Sequence, residues 1–402
     1  MGVQLGADAK LKSAGPKFPI ESVLEGDLRA TSQGEVYLVE TLYPLDATHG
    51  EFDLVLKSSM QMVAAWAKDE RISGFDSEQF AFIDTETTGL AGGSGTYAFL
   101  VGAGRFEKEG FRLAQFFMRD PADEPALLEA LESFLAPCEA LVSFNGKSYD
   151  LPLLQARYIT NGANFPWQGT AHLDLLHLAR RLWRQRLPSR ALGYLEEHVL
   201  GQTRTGEDTP GWMIPQLYFD YLRSGDARPL KGVFYHNAMD ILTLAVLTEH
   251  TAHLLADPLD GRVEHVLDLL AIGKLNEDLG NLDQAAMIIE QGLAQELPPE
   301  MAKQARKRLS FIQKRRGELP LAISLWWQAA ADREIFAHEE LAKYYEHTEK
   351  KFDEALRWTE AALAILTQPD APFAEKLQWE GALNHRRKRL QEKLTRQTGD
   401  QR

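Results

Sequence analysis

Two carboxylates stand one residue apart at the end of an apolar run, since Asp84 and Glu86 follow residues 80–83 and precede a Thr-Thr-Gly turn. Side chains two positions apart on a β-strand project to the same face, so the pair would stand side by side. Carboxylates in that position resist sharing a site as anions. Because Mg²⁺ and Mn²⁺ prefer oxygen ligands, a divalent cation would remove the conflict. An ordinary strand end with solvated acids also fits this pattern. Residues elsewhere in the chain must therefore distinguish a metal site from a simple strand end.

A third acid follows a second apolar run. Residues 140–144 read as a buried strand, and residues 151–159 carry a helical pattern of apolar positions. Asp150 therefore lies at the start of a helix, just past the carboxyl end of a strand. There it could cap the helix or bind a metal ion, and the residues alone favour neither.

A histidine and a fourth acid share one helical face. His236 and Asp240 lie four residues apart on an apolar helix that opens at Val233 and runs to about His250. Such a pair often forms a surface hydrogen bond, but these aliphatic neighbours indicate a largely buried helix. An unpaired aspartate would be costly there.

Taken in order, Asp84, Glu86, Asp150 and Asp240 resemble the four acids of the DEDD superfamily of 3′→5′ exonucleases. Within it, the chain is similar to the bacterial branch with YprB-like ribonuclease H domains, over about residues 78–255. The segments that carry the resemblance are 84–89, 144–152, 172–176, 179–183, 208–211, 214–215 and 236–242.

The resemblance implies an α/β fold: a ribonuclease H-like mixed five-stranded sheet flanked by helices. It also implies two Mg²⁺ or Mn²⁺ ions, with Asp84 bridging them, Glu86 and Asp150 each holding one, and Asp240 completing the set. Two ions about 4 Å apart can stabilise both ends of an in-line phosphoryl displacement. The implied substrate is the end of a single-stranded DNA or RNA.

The general base is the point where the chain departs from the family. One subclass has a His five residues before the last Asp, and the other has a Tyr four before it. Here His236 stands at four and Tyr235 at five. A four-residue spacing returns to the same helix face, and imidazole is neutral near pH 7. His236 is therefore favoured as the base, with Tyr235 beside it, and Tyr235 stays the alternative.

Other residues are candidates for substrate contact or support. Thr87, Asn145 and Tyr149 flank the acids in the sequence. Asp174 lies where a short strand leads into a helix, which suits a helix cap or a partner of the acids better than a metal ligand.

An arginine cluster lies between residues 180 and 190, with Trp183 among its members. Arginine forks suit phosphates, and an aromatic ring can stack on a base of a single strand. The alternative is a solvated helix face with a structural tryptophan. The candidates for phosphate contact are Arg180, Arg181 and Arg184.

Composition excludes several classes of protein. No run approaches the ~20 apolar residues of a membrane span, the N-terminus lacks the pattern of a leader, and one cysteine cannot form an internal disulfide. These features predict a cytoplasmic protein without membrane contact. The net charge of −14 argues against a protein that coats nucleic acid, but a nuclease needs favourable charge only locally.

Four segments are expected: an N-terminal extension (1–77), the ribonuclease H-like domain (78–256), a helical repeat domain (260–394) and a disordered tail (395–402). The Gly-rich stretch 91–96 lacks the Lys-Ser/Thr ending of a phosphate-binding loop and is interpreted as a turn. In the third segment Gly273, Ser310 and Ala342 are each followed 12 or 13 residues later by an alanine. This period is close to the ~34 residues of tetratricopeptide (TPR) repeats, which offer a concave surface to a protein partner.

The sequence therefore predicts a metal-dependent 3′→5′ exonuclease. Two alternatives stay open: a catalytically inactive nuclease-like scaffold that binds a protein through its repeats, and a structure-selective endonuclease on the same fold. No residue discriminates DNA from RNA, because none can be shown to contact a 2′-hydroxyl.

Overall fold

The computed structural model describes residues 18–89, 95–369 and 371–399. Most of the Gly-rich turn expected at 91–96 therefore lies outside the described residues. The chain forms two compact units, one ending at Arg262 and the other beginning at Val263.

A seven-stranded sheet forms the centre of the first unit, in the order β1-β2-β7-β6-β5-β8-β9. β5 pairs antiparallel with β6 and parallel with β8, and β8 pairs parallel with β9. The remaining two strands, β3 and β4, form a separate hairpin. The strands are β1 (Asp27–Thr31), β2 (Gly34–Pro44), β3 (Thr48–His49), β4 (Phe52–Asp53), β5 (Phe80–Thr87), β6 (Ala98–Glu107), β7 (Gly110–Phe117), β8 (Ala140–Ser143) and β9 (Ala171–Asp174).

The ribonuclease H-like mixed sheet flanked by helices is confirmed: residues 78–256 contribute five strands, β5 to β9, and two N-terminal strands extend the sheet to seven. β1 and β2 extend the sheet because β2 pairs with β7, with Tyr37 opposite Phe117. Val36, Tyr37 and Leu38 of β2 are at most 3% exposed, so this strand is part of the core. The described part of the predicted N-terminal extension thus belongs to the same unit as the nuclease-like core.

Helices cover both faces of the sheet. Ile83 of β5 packs in an apolar core with Leu127 and Leu154, whereas its neighbour Asp84 contacts the long helix that contains Asn237. Neighbouring strand residues point to opposite faces, so these helices lie on opposite sides. The helices are α1 (Gln61–Ala67), α2 (Glu124–Leu135), α3 (Asp150–Thr160), α4 (Leu175–Trp183), α5 (Leu192–Val199), α6 (Ile214–Ser224) and α7 (Lys231–Ala256), with short 3₁₀ turns at Ile20–Ser22, Glu70–Gly74, Ser77–Gln79, Pro121–Asp123, Gly211–Met213 and Arg228–Leu230.

A buried ion pair fixes α3 against α2. Arg157 Nε donates to Glu124 Oε1 at 2.6 Å, and both side chains are about 95% buried. Breaking such a pair is costly, because the remaining charge would be buried alone. The last turn of α3, the helix that begins at Asp150, is therefore anchored to α2.

The described part of the second unit is all helical. Successive helices pack as the pairs α8/α9, α10/α11 and α12/α13, and α14 packs on α13. The small residues noted in the sequence are buried, and a Cβ on Gly273 would lie 2.8 Å from Ile289. The assignment to TPR repeats stays a prediction. The helices are α8 (Val266–Asp278), α9 (Leu282–Leu293), α10 (Pro299–Arg316), α11 (Leu319–Ala331), α12 (Ile335–His347), α13 (Phe352–Leu366) and α14 (Phe373–Gly399).

The predicted tail differs from the structure. Helix α14 continues to Gly399, so residues 395–399 are helical, and only 400–402 lie outside the description. The residues after Gly381 are mostly strong helix formers, and Leu390 is fully buried. None of the described helices is both long and apolar enough to cross a membrane.

Candidate active site

Strand β5 presents the first two acids to the face covered by α7. Asp84 Oδ2 accepts a hydrogen bond from Asn237 Nδ2 at 3.0 Å. Burial raises the pKa of Asp84 well above its usual range, and Asp240, Glu86 and Asp150 raise it further. Burial likewise raises the pKa of Glu86 to about 8, with further contributions from Asp240 and Asp150. Both carboxyls are thus held in surroundings that disfavour their charge.

Asp150 is the first residue of α3. The hydroxyl of Thr85, between the two β5 acids, donates to Asp150 Oδ1. Burial raises the pKa of Asp150, although this hydrogen bond opposes the shift. A Cβ on Gly146 would lie 2.4 Å from Ser143 Oγ and 3.1 Å from Asp150 Oδ2, so the loop before α3 leaves no room for a side chain there.

Asp174 holds that loop in place. Its carboxylate accepts backbone N–H groups from Asn145 at 2.8 Å and Lys147 at 3.2 Å. It also caps α4 by accepting from Leu176 N–H at 3.1 Å. Asp174 is 2% exposed, so its charge is compensated by these donors. The geometry therefore gives it a supporting role for the loop that leads to Asp150.

His236 and Asp240 face a cleft from α7. His236 Nε2 lies 3.5 Å from Asp240 Oδ2, and Nδ1 lies 2.8 Å from Asp208 Oδ1. A carboxylate only accepts, so the contact to Asp208 places the proton on Nδ1. Arg204 Nη1 also lies 3.1 Å from Nδ1 and would favour the other tautomer. The shorter contact to a charged acceptor decides for the pairing with Asp208.

Arg204 is the residue whose importance the sequence revealed least. Arg204 and Asp208 belong to the segment 200–213, which connects α5 to α6. In the structure the Arg204 guanidinium contacts Asp240 and donates from Nε to Glu196 Oε2 at 2.6 Å. Burial opposes its charge, but Asp240 and Glu196 raise the pKa of Arg204 above its usual value.

Sequence reasoning also missed the residues that orient Asp84. Gln115 Nε2 donates to Asn237 Oδ1 at 3.0 Å, which turns the amide nitrogen of Asn237 toward Asp84. A Cβ on Gly102, opposite Asp84 in the sheet, would lie 2.2 Å from Asn237 Oδ1. The His236-Asn237 dipeptide was noted only for its resemblance, and nothing local in the sequence links it to Gln115.

The charges of Asp150 on α3 and Asp240 on α7 both raise the pKa values of Asp84 and Glu86 on β5. Among the described residues, no three His, Cys, Asp or Glu side chains lie close enough together to chelate a metal ion as they stand. The guanidinium of Arg204 contacts Asp240. A cleft of about 520 Å³ borders the fourth acid and is lined by Leu192, Gly193, Glu197, Gln202, Thr203, Arg204, Asp208, His236 and Asp240.

Three further residues that the sequence analysis named are Tyr149, Thr87 and Tyr235. Tyr149 is 59% exposed beside Asp150. Thr87 donates its hydroxyl hydrogen to Gly89 O at 3.0 Å. Tyr235 accepts the Thr205 N–H through its hydroxyl at 3.0 Å, which anchors the loop that carries Arg204.

The arginine cluster lies at the other end of α4. At ~1.5 Å per helical residue, Arg180 lies about 9 Å beyond Asp174 along the axis, and Arg184 about 15 Å. The role of Arg180, Arg181 and Arg184 in phosphate contact stays a prediction. The idea that Trp183 stacks on a base is wrong for this structure, because its ring is 1% exposed.

This architecture defines a ribonuclease H-like protein, and residues 81–252 match the family model of the ribonuclease H superfamily. The chain is 32% identical over 350 residues to a Bacillus subtilis (strain 168) protein named uncharacterized protein YprB, and the match covers 84% of this chain and 83% of that protein. The chain therefore belongs to the YprB family of the ribonuclease H superfamily. Membership suggests nuclease-type activity on nucleic acid.

Proposed function

We propose that this protein is a metal-dependent 3′→5′ exonuclease that hydrolyses phosphodiester bonds of single-stranded nucleic acid. The observation that carries the proposal is the convergence of Asp84, Glu86, Asp150 and Asp240 from β5, α3 and α7 at one end of a ribonuclease H-like sheet. Burial raises the pKa values of the first three, and repulsion by neighbouring acids of the set adds to the shifts of Asp84 and Glu86.

The donor set fits divalent cations. Four carboxylates, largely buried, supply the hard oxygen ligands that Mg²⁺ and Mn²⁺ prefer, and their repulsion is what a cation would relieve. Asp84, Glu86, Asp150 and Asp240 would hold two such ions. When bound, the ions supply an activated water and stabilise the leaving oxygen of an in-line displacement.

The residues of the chain supply the proton transfer. Because Asp208 fixes the proton on Nδ1 of His236, the other nitrogen, Nε2, is unprotonated and can accept a proton from the attacking water. Tyr235 is less suited to this role, since its hydroxyl is engaged with the backbone of Thr205. His236 is therefore the proposed general base.

Substrate contacts are assigned to one exposed and two partly buried residues near the acids. The ring of Tyr149 is available to stack on the terminal base, and Asn145 and Thr87 border the same loop and strand end. The arginines 180, 181 and 184 would contact phosphates further along the strand.

The direct test is the release of mononucleotides from 5′-labelled single strands of DNA and RNA in Mn²⁺. Wild type should shorten at least one of them progressively from the 3′ end, and Asp84→Asn should abolish this activity. Asp46→Asn is the matched control, because it removes an exposed acid of the same unit. Internal fragments would instead identify an endonuclease, and no cleavage of either strand would favour the scaffold.

A further inference from the structure

We propose that Arg204 binds a phosphate of the substrate, and that its guanidinium competes with the metal ions for Asp240. Metal ions and substrate phosphate would then bind cooperatively, with Arg204 exchanging one anion for another. This inference rests on the proposed function and adds a substrate-binding residue that the four-acid set does not include.

The inner side of Arg204 is firmly anchored. Its Nε donates at 2.6 Å to Glu196 on α5, a side chain that is 0% exposed. The other oxygen of Glu196 lies 3.5 Å from Nε2 of His49, and His49 is itself 4% exposed. His49 Nε2 also lies 2.9 Å from Thr243 Oγ1 on α7. Because Glu196 is fully buried, loss of its contact with Arg204 would be costly, which favours keeping this pair.

The Nη atoms of Arg204 reach the border of the 520 Å³ cleft. Nη2 contacts Asp240 as well as Glu196 Oε2, and Nη1 lies 3.1 Å from His236 Nδ1 and 3.7 Å from Asp208 Oδ2. Of the described residues that line this cleft, Arg204 is the sole arginine or lysine, and three others are acidic. A phosphodiester that enters an acidic cleft needs a cation to offset its charge.

Competition for Asp240 links the two events. A cation held by Asp240 would share the carboxylate that the Arg204 guanidinium contacts. Arg204 would therefore lose part of its contact with Asp240. Its freed N–H groups would be partly buried and unsatisfied, which is unfavourable unless a new acceptor replaces the carboxylate. A phosphate oxygen suits this fork, because guanidinium binds phosphate through paired N–H groups.

The proposal predicts opposite effects on the two ligands. Arg204→Gln should tighten Mn²⁺ binding without nucleic acid by about threefold or more, measured by calorimetry. The same variant should weaken the binding of a single-stranded oligonucleotide about tenfold, measured by fluorescence anisotropy in Ca²⁺ to limit cleavage. Arg204→Lys keeps the charge but loses the fork, so both effects should be smaller.

The controls separate this role from simple support of the loop. Arg29→Gln removes a half-exposed arginine that also forms an ion pair, with Glu40 on β2, and should change neither affinity. Unchanged affinities in Arg204→Gln would overturn the proposal, and so would Mn²⁺ and oligonucleotide binding that weaken together with a lowered Tm. Neither measurement needs turnover, so a wild type that binds but cleaves nothing would refute the nuclease and leave the role of Arg204 standing.

Discussion

At the scale of single residues, the orientation of Asp84 depends on two side-chain amides, because Gln115 holds Asn237 and Asn237 donates to Asp84. The four acids and His236 stand out because carboxylates beside apolar runs are unusual. Asn237 and Gln115 have no such mark, since a buried amide looks the same in any core until its partners are known. Their contacts join positions more than 100 residues apart along the chain, which local patterns cannot reveal.

Removing the amide that holds Asp84 should impair catalysis more than stability. We expect Asn237→Ala to lower Mn²⁺ affinity or turnover about 10–100-fold, as losses of residues that orient metal ligands do. Asn276→Ala is the matched control, because Asn276 is also buried but bonds only its own helix, at Ile272 O. Equal activity of Asn237→Ala and wild type, measured by mononucleotide release, would contradict the orienting role.

The raised pKa values predict how the cation-free protein responds to pH. Glu86 has a folded-state pKa of about 8 against an ordinary value of 4.5, so the folded state holds a proton that the unfolded state has released in that interval. The free energy of unfolding should therefore be highest below about pH 4.5, as far as this group is concerned, and fall as the pH rises toward 8. The pKa values of Asp84 and Asp150 are also raised, so both residues add to the fall in the free energy of unfolding.

Urea unfolding in EDTA at pH 5 and pH 8 would measure this effect. Glu86→Gln should lose less stability than wild type between the two values, because the amide does not ionise. An identical loss in the two proteins would show that Glu86 is not held in its protonated form.

At the scale of elements, the central strands and the long helix were predictable, and the N-terminal strands were not placed. Alternating and helical periodicity are local signals, and they located the strands and helices of the core. The pairing of β2 with β7 is a contact between segments about 70 residues apart, so β2 could be recognised as a strand but not assigned to this sheet. The same limit concealed how the β3–β4 hairpin supports the loop that carries Arg204.

That hairpin gives a prediction about one glycine. Gly50 has φ +64°, and a Cβ there would lie 2.0 Å from Leu200 O, beside the bond from Glu51 N–H to that oxygen. Gly50→Ala should therefore cost more than the ~1–2 kcal/mol of a left-handed alanine and displace the loop that follows Leu200. We expect a lower urea midpoint together with a loss of turnover of about tenfold or more.

Gly169→Ala separates the cost of a left-handed alanine from the effect of the collision with Leu200 O. Gly169 has φ +81°, and no atom lies within 4 Å of the position that a Cβ would occupy, so this variant meets the conformational cost without the collision. Its turnover should match that of wild type. If Gly50→Ala also kept full turnover, the hairpin would not support the active-site loop.

At the scale of the whole molecule, the proposed catalytic residues and the helical pairs belong to different compact units. All of the proposed catalytic residues, together with Arg204, Glu196 and His49, precede Arg262, where the first compact unit ends. That unit has its own sheet and apolar core, so a chain ending at Arg262 should fold and keep Mn²⁺-dependent release of mononucleotides within about threefold of the full-length rate, as expected of domains with independent cores. The comparison needs short single strands and circular dichroism on both proteins. A fragment that folds but loses more than tenfold in rate would show that the second unit takes part in catalysis. Retained activity would leave the helical pairs free for another task, such as the protein partner that their repeat pattern predicts.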